Sequence, residues 1–111
     1  MILRRCDDMN EDREIMCLKV HKVRGEVMVA VCDRDLLGKT FEEGKLCLTV
    51  EAAFFGEEEA TAREVAEALA GATIANMVGE RAVACAMETS CIDDKNVLRI
   101  DGVPTAQMVR M

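Results

Sequence analysis

The chain has 111 residues, half of them hydrophobic, with 14 basic and 21 acidic side chains and a formal charge of −7. That length fits one domain able to bury a core of its own, and the acidic balance disfavours nucleic-acid phosphates unless Arg and Lys gather on one face. Only Phe41, Phe54 and Phe55 are aromatic, so stacking of single-stranded RNA on an array of exposed rings is poorly supported.

Residues 1–13 are polar, charged and aperiodic and are expected to form a flexible acidic arm, followed by a single α+β domain over 14–111. Met1-Ile2-Leu3-Arg4-Arg5 runs into acids without the apolar stretch of a signal peptide, and no run is long enough to span a bilayer. The expected location is cytoplasmic, with no membrane partner.

Glu14–Val20 and Glu26–Cys32 read as two strands joined around Arg24-Gly25, because glycine supplies the positive φ that a tight hairpin needs. Pairing Val23 with Glu26 puts Met16, Leu18 and Val20 on one face with Val27, Val29 and Val31. The other face carries Ile15, Cys17, Lys19 and His21 with Met28, Ala30 and Cys32. The first face is wholly apolar and must be core; the second is mixed and must be partly covered. The same register sets Cys17 opposite Cys32, within reach of a disulfide whose oxidation stays open.

Asp33–Phe41 is expected to be a helical turn or structured loop, with Asp33 or Asp35 as a helix cap. Lys45–Val50 alternates as a half-buried strand, and Glu51–Gly56 is a connection that tucks in Phe54 and Phe55. Ala60–Ala70 has apolar residues at helical spacing. The segment from Thr73 to about Ser90 is read as a second helix capped by Thr73, with Ile74, Ala75, Val78, Ala82, Cys85, Ala86 and Thr89 on its core stripe. Gly79 then falls mid-helix, where it costs roughly 1 kcal/mol against Ala. Close approach of another backbone is the expected reason, so Gly79→Ala should be mild and Gly79→Leu severe. Asn96–Ile100 and Thr105–Arg110 are the last strands, with Pro104 at a strand start or edge. The expected fold is α+β, an antiparallel hairpin-built sheet of about five strands packed by two consecutive helices.

No complete catalytic or metal-binding motif stands in the sequence. Gly38-Lys39-Thr40 resembles the end of a phosphate-binding loop, but Asp33 occupies the position of its first glycine, so no nucleotide binding is expected. Six cysteines without a Cys-x-x-Cys pair, and one histidine, argue against zinc. His21 has no acid or nucleophile beside it and is expected to be a surface residue. The candidate binding surface is Lys39, Thr40, Asn76, Gly79, Glu80, Arg81 and Arg110, with Asn76 and Glu80 one turn apart as a polar ridge. No catalytic residue, cofactor or metal is assigned. The expected role is a non-enzymatic binding module for a protein or RNA partner, able also to self-associate; the alternative is a small enzyme or metal-binding protein.

Four strings together resemble one family, the archaeal DUF424 family of uncharacterised proteins. They are Gly25-Glu26-Val27-Met28-Val29-Ala30-Val31-Cys32-Asp33, Leu36-Leu37-Gly38-Lys39-Thr40-Phe41, the stretch Thr73–Val83, and Gly102-Val103-Pro104-Thr105-Ala106-Gln107. The resemblance runs from about Ile15 to the C-terminus and implies an archaeal cytosolic protein of one small domain. It carries no catalytic residues, and it implies a setting in translation or RNA handling.

Overall fold

The computed structural model describes residues 16–56 and 58–110. The predicted arm, Glu14, Ile15 and Cys6 lie outside the described residues.

Two strands, β1 (Met16–Val23) and β2 (Glu26–Asp33), form the predicted hairpin in the predicted register, Val23 facing Glu26 and Cys17 facing Cys32. Arg24 and Gly25 make the turn with φ of 53° and 83°, the pair of left-handed residues that matches the twist of the flanking strands. A single 3-10 turn at Arg34–Leu36 leads to a second hairpin, β3 (Thr40–Glu43) with β4 (Leu46–Thr49). One helical turn, α1 (Ala52–Phe55), then precedes the two-residue strand β5 (Glu59–Ala60). The helix α2 spans Ala62–Ala70 and opens on a capping box between Thr61 and Glu64, which satisfies two otherwise orphaned N–H groups. Strand β6 (Ile74–Val78), helix α3 (Glu80–Glu88), a 3-10 turn at Asp94–Asn96, and strands β7 (Leu98–Ile100) and β8 (Val103–Val109) complete the chain.

Six strands form one sheet in the order β5-β1-β2-β6-β8-β7, and β3-β4 is a separate ribbon. The sheet is mixed: β2 and β6 run parallel, all other neighbours antiparallel. The expectation of an antiparallel, hairpin-built sheet is corrected on this point. A parallel pair needs a long crossover, and here the crossover from β2 to β6 carries the ribbon, α1, β5 and α2. The two long helices are also not consecutive, because β6 lies between them.

That strand replaces the first half of the predicted long helix. Thr73 caps no helix; its hydroxyl accepts from the Val27 N–H at 2.9 Å, and its own N–H donates to the Val27 carbonyl at 2.8 Å, so it docks β6 onto β2. Asn76 and Glu80 therefore stand in a strand and at a helix start, and the predicted ridge between them does not exist.

Both faces of the sheet are covered, which is why its central strands read as continuous apolar runs. On one face Val29, Val31, Ala75, Met77, Ala106 and Met108 pack against Val65 and Leu69 of α2 and Ala82, Val83 and Ala86 of α3. On the other, Cys17, Ala30, Cys32 and Val78 lie under Val50 and Phe55, flanked by Leu36, Phe41, Leu48 and Phe54. The hairpin side chains divide between the faces as the alternation predicts, except that Val20, expected in the core, is 43 % exposed. His21 differs from expectation: it is half-buried, stacks on Phe54 with ring centroids 5.2 Å apart, and holds the Phe54 carbonyl through Nε2 at 2.9 Å.

Candidate functional site

Two places in the fold concentrate unusual chemistry. The first is the start of α3. Asp33, the last residue of β2, is 7 % exposed and is the one buried acidic or basic side chain among the described residues. Its carboxylate accepts from the N–H groups of Ala82 at 2.9 Å and Arg81 at 3.2 Å. It thus caps a helix 48 residues away, while making no side-chain cap to the 3-10 turn that follows it. Gly79 sits between, with φ of 110°. A β-carbon there would overlap the Asp33 carboxyl, with both oxygens 2.6 Å away. Gly79 is therefore not a mid-helix residue; it is the strand-to-helix junction, and the close neighbour is a side chain rather than a backbone. Burial raises the pKa of Asp33 from its ordinary value, against the two helix N–H groups, which pull it down. The carboxylate caps the helix and also lines a small depression of about 160 Å³ together with Asp35 and Glu80.

The second place is a cup on the sheet face opposite the long helices, of about 510 Å³. Its floor is Asn76 and Val78 of β6 with Thr105 and Gln107 of β8. Leu48 and Thr49 of β4 form one wall, Phe54 and Phe55 of α1 another, and Asn96 and Leu98 the third. The walls are held in place by polar ties: the Asp101 N–H donates to the Glu43 carboxylate at 2.6 Å, linking the ribbon to the β7–β8 turn. Asn76 and Gln107 face each other across β6 and β8, and the Gln107 amide nitrogen donates to Asn76 Oδ1 at 2.7 Å. No lining side chain is ionisable.

A second depression, of about 570 Å³, lies between β1 and α1. Lys19 crosses it, its ammonium donating to the Ala53 carbonyl at 3.1 Å, and it draws on fewer segments than the cup. Among the described residues no group of three or more His, Cys, Asp or Glu side chains is placed to hold a metal ion, and no helix is long and apolar enough to cross a membrane.

The residues singled out from the sequence do not form one surface. Asn76 is on the cup floor. Glu80 pairs with Arg99 of β7 at 3.0 Å, both side chains exposed, a contact worth little in water. Arg81 is engaged through its backbone and exposes its side chain. Lys39 is exposed, and Thr40 meets Thr49 across the ribbon at 3.1 Å. Arg110 is structural: its guanidinium donates to the carbonyls of Ala70 and Ala72 at 3.1 and 3.0 Å, closing the C-terminal end of α2. Sequence reasoning missed Gln107, Thr105, Leu48 and Phe54 as cup residues. Gln107 carried a signal, since it stands as the one amide on a mostly apolar final strand, but its partner across the sheet is set by the unforeseen strand β6.

A family model described as "Protein of unknown function (DUF424)" matches residues 21–111. Among solved structures, an uncharacterized conserved protein from Methanopyrus kandleri has a TM-score of 0.70 at 22 % identity, over 86 % of this chain and 94 % of that one. At that identity the likeness is one of fold. Comparison with curated proteins finds no match.

Proposed function

Since the chain belongs to the DUF424 family, a family that brings no activity with it, we propose from the cup itself that this is a non-enzymatic binding module. One observation carries the reading: the cup combines apolar walls with amide and hydroxyl groups and has no ionisable side chain in its lining. General acid–base catalysis most often uses a titratable side chain within hydrogen-bond reach of the reacting atom, and the lining holds none. The buried carboxylate, Asp33, lies outside the cup and caps α3. An apolar concavity with a few convergent polar groups is the usual form of a recognition site.

The test is capture from a lysate of the source cells on immobilised full-length protein, with retained small molecules, protein and RNA all identified, alongside the variant Gln107→Trp, which fills the cup from an exposed position. A partner retained by the wild type and lost by a folded Gln107→Trp supports the reading. RNase treatment of the captured material separates a protein from an RNA, and a component of the translation machinery would extend the reading to the setting the family resemblance implies. Retention unaffected by Gln107→Trp, or chemical conversion of a molecule held in the cup, would overturn it.

A further inference from the structure

Resting on that reading of the cup as a recognition site, we infer that it takes a neutral, flat heteroaromatic ring bearing both a hydrogen-bond donor and an acceptor: chemically, a nucleobase or nucleoside, without a phosphate chain. The amide pair on the floor is the first reason. Gln107 Nε2 and Asn76 Oδ1 bond to each other. Asn76 Nδ2 and Gln107 Oε1 have no hydrogen-bond partner among the described residues. The floor therefore offers the amide N–H groups of Asn76 as donors and the Gln107 carbonyl oxygen as acceptor, on two side chains already held to each other, so an occupant finds them preorganised. Carboxamides are the side chains that read the mixed donor–acceptor edges of bases.

The second reason is the wall. Phe54 is fixed from behind by the stacked His21 ring and by the edge contact to Phe55, 5.0 Å between centroids, and it lines the cup. A held aromatic ring beside a donor–acceptor edge suits a planar ring more than a flexible aliphatic chain. One aromatic is enough for one ring and too few for a strand of stacked bases. The volume, about 510 Å³, exceeds what a base alone needs and leaves room for a sugar.

Charge is the third reason, and it selects the source of the ring. The lining has no Lys, Arg or His, and the chain carries −7 overall, so nothing in the cup offsets a phosphate. A base presented on a polynucleotide would bring its phosphates against an acidic protein.

The experiment is a set of ¹H–¹⁵N NMR titrations of the full chain with the four ribonucleosides, their 5′-monophosphates, hexauridylate, and N-acetylphenylalaninamide. The expected result is that at least one nucleoside shifts the signals of Asn76, Thr105 and Gln107. Its affinity should fall tenfold or more in Asn76→Leu and in Gln107→Leu, and its monophosphate should bind no tighter. Two variants guard against misfolding, and the dispersion of each spectrum reports the fold directly. The inference is overturned if no nucleoside moves cup residues at millimolar concentration, or if hexauridylate binds tighter than every nucleoside with a steep salt dependence. It is also overturned if N-acetylphenylalaninamide alone fills the cup, although the binding-module reading then survives. That reading fails separately, on capture indifferent to Gln107→Trp.

Discussion

The β1–β2 hairpin and the segment from Thr73 to Thr89 are both apolar runs with a glycine inside them, yet only the first declares its structure in its sequence. In the hairpin, Gly25 marks a reversal, and the alternation of β1 against the apolar run of β2 fixes a register in which each pair checks the next. In the second segment Gly79 also marks a change of direction, but neither side alternates. Ile74-Ala75-Asn76-Met77-Val78 is covered on both faces, so its apolar residues do not distinguish a strand from the first turns of a helix. A glycine between two apolar runs is better read as a junction than as a flaw in one long element.

The sharpest way to break this comparison is at Gly79 itself. Gly79→Leu should cost about 3 kcal/mol or more in urea unfolding, from the positive φ together with overpacking. The informative variant is Gly79→Ala, expected to cost about 2 kcal/mol or more. In a helix interior the same change would stabilise by roughly 1 kcal/mol, so the sign alone decides between junction and helix. A neutral or stabilising alanine would return Gly79 to a helix and undo the strand β6.

Asp33→Ala should cost about 1–2 kcal/mol, because the Arg81 and Ala82 N–H groups lose their acceptor. Since the alanine β-carbon at 79 collides with that same carboxyl, Gly79→Ala should cost less in an Asp33→Ala background than in the wild type. Additive costs in the double-mutant cycle would show that the two residues do not touch.

What could be read from the sequence follows from these local signals. The hairpin, its two faces, the helix Ala62–Ala70 and the last strands all rest on periodicity within a few residues. Thr61-x-x-Glu64 is the local signal of that helix start. What was not legible depends on distance. Asp33 was expected to cap something nearby, and it does cap a helix, but one reached only after the crossover returns as β6 beside β2. The Asn76–Gln107 pair likewise exists only once β6 and β8 are neighbours. Lys39, Thr40, Glu80, Arg81 and Arg110 were singled out by residue type, which says nothing of whether their side chains meet.

The hairpin's cysteines sharpen the comparison from the legible side. The Cys32 thiol is pushed up to about 12 by burial first, with Cys17 and Asp33 adding to it. At pH 8 that leaves roughly one thiolate in ten thousand. Alkylation followed by peptide mapping should label the exposed Cys47 far faster than Cys32, with Cys32 reacting only as the protein unfolds. Equal rates in the native protein would mean that the ribbon and α1 do not cover that sheet face.

The smallest effect is the pH dependence of the junction, and its sign is informative. Burial raises the folded pKa of Asp33 above the ordinary 3.8, more than the Ala82 and Arg81 N–H groups lower it. The folded state then binds this proton more tightly than the unfolded one. The associated stability is fully present below the unfolded pKa and is lost as pH rises through the folded value. Other carboxylates titrate in the same range, so the measurement is a difference: urea unfolding of wild type and Asp33→Asn at steps from pH 3.5 to 7. Stability of the wild type relative to Asp33→Asn should decline across that window. A flat difference would mean the carboxyl is as well solvated folded as unfolded. A rising one would mean the two N–H bonds outweigh burial, making the carboxylate a net anchor of α3 and not a tolerated charge.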